Sequence, residues 1–249
     1  MVNETQLFPL LKEYIKRDEA VTLAVVVRGP QEILGHKALI PAQGDPQGGL
    51  LSLPWSRQVV DTARQLMQDR LSSTTRRYEN DEIEIFFDVH RSSPKLIIIG
   101  AVHIADSLIH FAKPLGFRTY LIDPRTAFAT KERFPHVDEM HHRWPDEVLP
   151  DIGLTSETAV VVITHDPKLD DPALKIALPS PAFYVGALGS PKTHAQRIER
   201  LLGEGIPQAQ LDRLHAPIGL DIGGRTPEEI GLSIVAEIVA ARNKMPFSG

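Results

Sequence analysis

The chain has 249 residues, of which 42% are hydrophobic and 24% charged, a formal net charge of −5 and no cysteine. This composition excludes a disordered chain, and the weakly acidic charge argues against a nucleic-acid binder. The lack of cysteine excludes disulfide, zinc-thiolate, iron–sulfur and thiol-nucleophile chemistry. Charged residues interrupt the first twenty positions and no stretch has about 20 consecutive apolar residues, so we expect no signal peptide, no membrane span and a cytoplasmic location.

The first half of the chain predicts a small α+β domain. Apolar residues recur at helical spacing over residues 7–15 and again over residues 59–67. A β-branched run at residues 21–27 and an apolar run at residues 38–40 predict a hairpin. Residues 83–89 alternate between apolar and charged side chains, which predicts a half-buried strand.

The second half has a different pattern, in which short apolar strands alternate with helices. The strands are predicted at residues 96–99, 117–122, 159–163 and 182–185, and helical spacing follows around residues 196–202 and 228–240. Such alternation is typical of a parallel sheet covered on both faces. We therefore predict a Rossmann-like, doubly wound parallel sheet over residues 93–249, preceded by the smaller α+β domain over residues 1–92.

The first candidate site is the turn formed by Gly100, Ala101, Val102 and His103. A strand, a glycine turn and a helix begin a dinucleotide-binding half, and Asp123 follows Gly100 by 23 residues, near the roughly 20 expected for an acid that holds a ribose hydroxyl. Val102 replaces the middle glycine of that fingerprint and would crowd a diphosphate. NAD(P) binding is therefore an alternative that Val102 disfavours, and a turn without any ligand is another.

The second candidate site is Thr164, His165 and Asp166, directly after the third apolar strand. The carboxyl ends of parallel strands border the ligand crevice of open α/β sheets. His165 and Asp166 could there bind phosphate, transfer a proton or ligate a metal. Equally, Asp166 could only open a turn by accepting a hydrogen bond from its own backbone.

Two further loops lead into helices. Ser190 is a predicted helix cap before a proline, and Thr226 and Glu229 stand at capping-box spacing. Glycine-rich loops at helix starts offer backbone N–H groups to an anion. The residues of these loops that we assign to the site are Gly186, Gly189, Ser190, Gly223, Gly224 and Arg225. The four loops together predict one crevice for a phosphorylated ligand, without catalytic residues and without a metal site.

Five motifs of the second half resemble, in the same order, those of the XdhC/CoxI family, accessory proteins of xanthine dehydrogenase and related molybdenum hydroxylases. Five motifs in one order are far more specific than any one of them. The motifs are IGAVHIA at residues 99–105, DPR and ERFP within residues 123–135, THDPKLD at residues 164–170, YVGALGS at residues 184–190 and PIGLDIGGRTPEEI at residues 217–230.

The resemblance implies a cofactor chaperone and not a metabolic enzyme. Family members are understood to bind molybdenum cofactor, to assist its sulfuration and to help insert it into the apo-hydroxylase. Helix N-termini and Arg125 or Arg225 could hold the anionic pterin phosphate or dinucleotide tail of such a cofactor. The resemblance also implies that the chain forms a homodimer.

The first half resembles the family more loosely, and Leu50 stands where the family has a cysteine. This resemblance and the lack of any other thiol imply a divergent member that binds cofactor while a partner protein supplies sulfur. An NAD(P)-dependent Rossmann oxidoreductase and a nucleotide-sensing regulatory module remain the alternative functions.

Overall fold

The computed structural model describes residues 4–68, 71 and 73–243, and it separates into two compact units between Ser92 and Ser93. The first unit is a four-stranded antiparallel sheet in the order β2-β1-β4-β3 with two helices. Its elements are α1 (Glu4–Lys16), β1 (Val21–Arg28), β2 (Lys37–Pro41), α2 (Ser56–Gln68), β3 (Thr74–Tyr78) and β4 (Ile83–His90).

The larger core of the first unit lies between α2 and one face of this sheet, and a smaller one packs α1 against β1 and β2. Val59 and Ala63 on α2 pack with Ile85 and Phe87 on β4, which alternate with outward-facing side chains as the strand period requires. Leu50 belongs to the same cluster and is fully buried. The position that resembles the family's cysteine turn therefore carries a core side chain.

The second unit is a six-stranded parallel sheet in the order β10-β9-β8-β5-β6-β7. Its strands are β5 (Lys95–Ile99), β6 (Arg118–Ile122), β7 (Glu139–His141), β8 (Thr158–Val162), β9 (Tyr184–Ala187) and β10 (Leu214–His215). Its helices are α3 (His103–Ala112), α4 (Pro145–Ile152), α5 (Pro167–Ala177), α6 (Pro191–Gly203), α7 (Gln208–Leu211) and α8 (Pro227–Arg242).

This strand order reverses between β5 and β8, which is the switch point of a Rossmann sheet and the place where such sheets bind ligands. Every residue of β8 is buried, because helices cover both faces. One core contains Leu108 of α3 and Ile234 of α8, and the other contains Leu174 of α5 and Leu201 of α6. The predicted fold class, a Rossmann-like sheet preceded by a smaller α+β domain, is confirmed.

Some elements differ from the sequence prediction. The strands β3, β7 and β10 and the helices α4, α5 and α7 were not predicted, and β9 begins two residues later than the predicted strand. Among the described residues, no helix has the length and apolarity needed to cross a membrane.

Candidate functional site

The two loops at the switch point contact each other closely. Gly100 has φ +112°, and a Cβ built on it would lie only 2.4 Å from Cγ2 of Thr164. The amide of Gly100 donates to the carbonyl of Ile122 at 2.9 Å, so the turn is fixed to the end of β6 as well. Glycine is therefore required here for its conformation and for the approach of the β8 loop.

Asp123, at the end of β6, is fully buried and accepts four hydrogen bonds. Its Oδ2 accepts from the Ala101 amide and from Nη2 of Arg125, both at 2.8 Å. Its Oδ1 accepts from the amide of Arg125 at 3.0 Å and from Nε of Arg125 at 2.9 Å. A carboxylate offers about four acceptor sites, so none is left for the predicted ribose hydroxyl unless Arg125 moves.

The charge state of this pair follows from the same contacts. Burial raises the pKa of Asp123, but the hydrogen bonds from Arg125 and Ala101 outweigh it, and the net pKa lies below its ordinary value. The hydrogen bond to Asp123 raises the pKa of Arg125 in turn. The pair is thus ionised, and the guanidinium is held in a fixed orientation with part of its surface exposed.

A pocket of about 440 Å³ lies beside this pair at the start of α3. The residues that line it are Ala101, Val102, His103, Arg125, Ala127, Phe128 and Arg133. Val102 is the N-cap of α3 and provides no side-chain cap, so the positive end of this helix faces the pocket without a capping side chain, and the first turn has one exposed carboxylate, Asp106.

The pocket combines two cations with an aromatic ring. The guanidinium of Arg125 lies 4.8 Å from the ring centroid of Phe128, and Nη1 of Arg133 donates to the Phe128 carbonyl at 2.6 Å. Arginine side chains bind phosphate through paired hydrogen bonds. The pocket therefore fits a phosphate group next to a planar ring.

A larger hollow of about 580 Å³ lies at the opposite edge of the sheet, near the amino ends of β5 and β6. Lys113 and Asp138 pair across it at 2.5 Å. Because ligands of parallel sheets bind at the carboxyl ends of the strands, we assign the candidate site to the smaller pocket.

The β8 loop serves mainly to start α5. Oδ1 of Asp166 accepts from the amide of Lys168 at 3.0 Å, so Asp166 is the N-cap of this helix. His165 is exposed and has φ +64°, a strained left-handed conformation. This loop and Arg125 lie at the same carboxyl edge of the sheet, and the charges of Asp166 and Asp170 contribute to the raised pKa of Arg125.

Asp170 and Arg197 form a buried ion pair that the sequence did not predict. Oδ2 of Asp170 lies 3.2 Å from Nη2 of Arg197, and their side chains are 3% and 1% exposed. Thr164 donates to the other carboxylate oxygen, and Nη2 of Arg197 donates to the Leu188 carbonyl at 2.9 Å. Burial raises the pKa of Asp170 more than these partners lower it. The pair connects the β8 loop to the β9 loop.

The β9 loop holds the start of α6. Ser190 caps this helix by accepting from the Thr193 amide at 3.2 Å, which confirms the predicted cap. Gly186 lies in β9, and a Cβ on it would be 2.6 Å from Cδ1 of Ile218. Gly186 therefore packs against the protein and offers no surface to a ligand.

The start of α8 has the predicted capping box of Thr226 and Glu229. Oε2 of Glu229 accepts from the amides of Thr226 at 3.0 Å and Arg225 at 2.7 Å. A carboxylate thus already occupies the positive end of α8, where Gly223, Gly224 and Arg225 were predicted to hold an anion. The Arg225 side chain is exposed and pairs with no group in the described part of the chain.

Within residues 4–68, 71 and 73–243 there is no group of three or more His, Asp or Glu side chains that could hold a metal ion.

Comparisons with known proteins agree with this fold. Residues 96–238 match the family model described as the XdhC Rossmann domain. A Bacillus subtilis protein, named as a probable xanthine dehydrogenase subunit, is 30% identical over 185 residues, which cover 74% of this chain and 54% of that protein. The molybdenum cofactor insertion chaperone PaoD of Escherichia coli is 33% identical over 89 residues, 36% of this chain and 28% of that protein.

Two further matches cover nearly the whole chain. The uncharacterized Escherichia coli protein YqeB is 26% identical over 240 residues, which cover 91% of this chain and 44% of that protein. A Bacillus halodurans crystal structure, called a xanthine dehydrogenase, shares the fold with a TM-score of 0.55, 19% identity and 96% coverage of both chains. The chain spans about half the length of the Bacillus subtilis relative and of YqeB. Because the family model matches more than half of its residues, the chain belongs to the family of proteins with an XdhC Rossmann domain.

Proposed function

We propose that this chain binds molybdenum cofactor, as the pterin phosphate or its dinucleotide form, and assists its maturation and insertion into a molybdenum hydroxylase of the xanthine dehydrogenase type. The names of two relatives, one a molybdenum cofactor insertion chaperone and the other a probable xanthine dehydrogenase subunit, support this role. The cofactor is then cargo that the chain holds and releases. This role needs a binding site but no reactive nucleophile.

The observation that carries this proposal is the pocket beside Arg125. Its fixed guanidinium, the second cation Arg133 and the uncapped start of α3 all favour an anion at one place. The Phe128 ring offers a face on which a planar heterocycle could stack. The chain would hold the phosphate end of the pterin through these residues.

The residues of the site fall into two groups in this proposal. Gly100, Ala101, Val102, His103 and Arg125 contact the ligand, and Asp123 orients Arg125. The β8, β9 and α8 loops form the outer part of the crevice, with Thr164, His165, Asp166, Gly189, Ser190, Gly223, Gly224 and Arg225. In these loops the backbone would contact the ligand, because the carboxylates of Asp166 and Glu229 cap helices. Gly186, which packs against Ile218, does not contact the ligand.

The proposal also assigns roles to the domains and the partners. Residues 1–92 are the XdhC/CoxI-like N-terminal domain and residues 93–249 the Rossmann domain. The apo-hydroxylase receives the cofactor, and because no side chain of this chain carries a thiol, a separate protein donates sulfur. A homodimer, which the family resemblance implies, remains a prediction.

Gel filtration tests the proposed function. Purified chain incubated with molybdopterin should elute with the pterin bound, and the double variant Asp123→Asn with Arg125→Gln should lose it. This pair of changes removes both charges, so no unpaired buried carboxylate remains. Arg143→Ala is the matched control, since Arg143 is an exposed arginine that pairs with Glu147 and Asp151 on α4. A correctly folded wild-type chain that retains no pterin would refute the proposal.

An NAD(P)-dependent oxidoreductase or a nucleotide sensor is the second candidate, because the strand order is that of dinucleotide-binding domains. Val102 at the second glycine position disfavours it, as does the saturated carboxylate of Asp123. Titration with NADH and NADPH, followed by fluorescence, separates the two functions. Micromolar affinity for either would favour the second candidate.

A further inference from the structure

Arg197 is a buried cation with unused hydrogen-bond donors. Its side chain is 1% exposed, and only Nη2 is bonded, to Asp170 and to the Leu188 carbonyl. Nε and Nη1 have no partner among the described residues. Buried guanidinium donors without partners destabilise a fold, so an arginine left in this state calls for a missing group that accepts hydrogen bonds.

The loop beside Arg197 also has unused donors. The amides of Gly189 and Ser190 donate to no group in the part of the chain that the structure describes. Gly189 has φ +155°, and a Cβ built on it would lie 3.6 Å from Nη1 of Arg197 and 3.2 Å from the Thr193 side chain. Nη1 of Arg197 therefore lies next to the turn that carries these two amides, close to the position that a Cβ of Gly189 would take.

The charges around the Gly189–Ser190 turn favour an anion. The first turn of α6 has no acidic residue, and its positive end faces the same loop. Among the described residues, the carboxylate in contact with Arg197 is that of Asp170, which bonds to Nη2 and to Thr164 and leaves Nε and Nη1 of the arginine unpaired. These two donors and the two amides are suited to a small oxyanion.

We propose that Gly189, Ser190 and Arg197 form an oxyanion subsite that takes a phosphate group. It is separate from the Arg125 pocket, because Gly189 follows β9 and Arg125 follows β6. Three strand spacings of about 4.8 Å put roughly 14 Å between the two strand ends, which a single phosphate does not span. This inference rests on the proposed function, which assigns the backbone of Gly189 and Ser190 to the ligand crevice, and it adds Arg197 and a phosphate group as the ligand of that part. Inorganic phosphate alone should occupy the subsite.

The test is a titration of the full chain with inorganic phosphate at constant ionic strength, followed by 15N NMR. We expect saturable shifts of the Gly189 and Ser190 amides and of Nε of Arg197. Gly189→Ala places a methyl group between this turn and Nη1 of Arg197 and should weaken the affinity for phosphate at least about tenfold, or about 1.4 kcal/mol. Gly205→Ala is the matched control, because Gly205 also has a positive φ, +89°, and a Cβ there meets nothing within 4 Å.

A second variant covers the case in which Gly189→Ala does not fold. Asp170→Asn with Arg197→Gln replaces the buried ion pair by a neutral pair of similar shape and should abolish the response to phosphate. No saturable shift at Gly189 and Ser190, or unchanged affinity in these folded variants, would overturn the subsite and leave only a buried water beside Arg197. The amides of Val102 and His103 report the Arg125 pocket in the same titration. A response there without one at Gly189 would overturn the subsite while leaving the proposed function intact.

Discussion

The contact between the two switch-point loops predicts a large cost for Gly100→Ala. The new Cβ would lie 2.4 Å from Cγ2 of Thr164, at a φ of +112° that L side chains rarely adopt. Backbone strain contributes about 1–2 kcal/mol and overpacking about 1–3 kcal/mol, so the free energy of unfolding should fall by about 2–5 kcal/mol. Gly116→Ala is the control for strain alone, because Gly116 has φ +81° and no atom near its Cβ position.

The variant Thr164→Ser separates the cost of overpacking from the cost of backbone strain. Serine lacks Cγ2 but keeps the hydroxyl that donates to Asp170, so it should recover most of the overpacking cost when combined with Gly100→Ala. Amide hydrogen exchange in β5 and β8 measures these differences within the second unit alone. If Gly100→Ala costs no more than Gly116→Ala, or if Thr164→Ser recovers nothing, the loops do not meet as described.

Three further predictions follow from the second unit. Asp123→Asn should destabilise the chain at neutral pH. Because folding lowers the pKa of Asp123, the ionised carboxylate stabilises the fold at pH values above its ordinary pKa of about 3.9, and this stability is lost as pH falls through the folded pKa. Urea unfolding over a pH series should show the wild-type advantage shrinking in acid, and a constant advantage would contradict this. Thr226→Ala removes a helix cap and should cost about 1 kcal/mol in thermal unfolding, whereas the exposed Arg225→Ala should stay within about 0.5 kcal/mol. Val102→Gly should raise NADPH affinity in a fluorescence titration if the turn faces a diphosphate, and no gain would mean that it does not.

The helices and strands that were not predicted from the sequence have polar or proline-containing sequences. The strand Thr74–Tyr78 reads Thr-Thr-Arg-Arg-Tyr and has no buried residue, so its partner β4 and not its own pattern makes it a strand. The helix Pro167–Ala177 contains an internal proline and buries both Asp170 and Asp171. These two carboxylates interrupt the hydrophobic periodicity of the helix. Arginines on α6 pair with them and make their burial possible, but these partners are distant in the sequence and cannot be inferred from the local pattern.

As with the fold, only the local features of the candidate site could be predicted from the sequence. Glycine turns, helix caps and the positions of Asp123 and Arg125 could be read from the sequence, because they depend on local conformation and on the order of strands. The four hydrogen bonds of Asp123 and the burial of Arg197 depend on loops that are distant in the chain. The resemblance to a family located the crevice, and only the structure showed which of its side chains are already engaged by other protein groups.

The most direct test of the central claim is the equilibrium affinity of the chain for molybdopterin, compared among wild type, Arg133→Ala and the control Arg143→Ala. Arg133 lines the pocket and its partly exposed side chain donates only to the Phe128 carbonyl among the described residues, so its removal leaves no buried charge. Loss of one charge-assisted contact of about 1.5–3 kcal/mol predicts affinity weaker by roughly 10- to 150-fold for Arg133→Ala and unchanged for Arg143→Ala. Equal affinity of all three proteins, or no binding by the wild type, would contradict the assignment of this pocket to the cofactor.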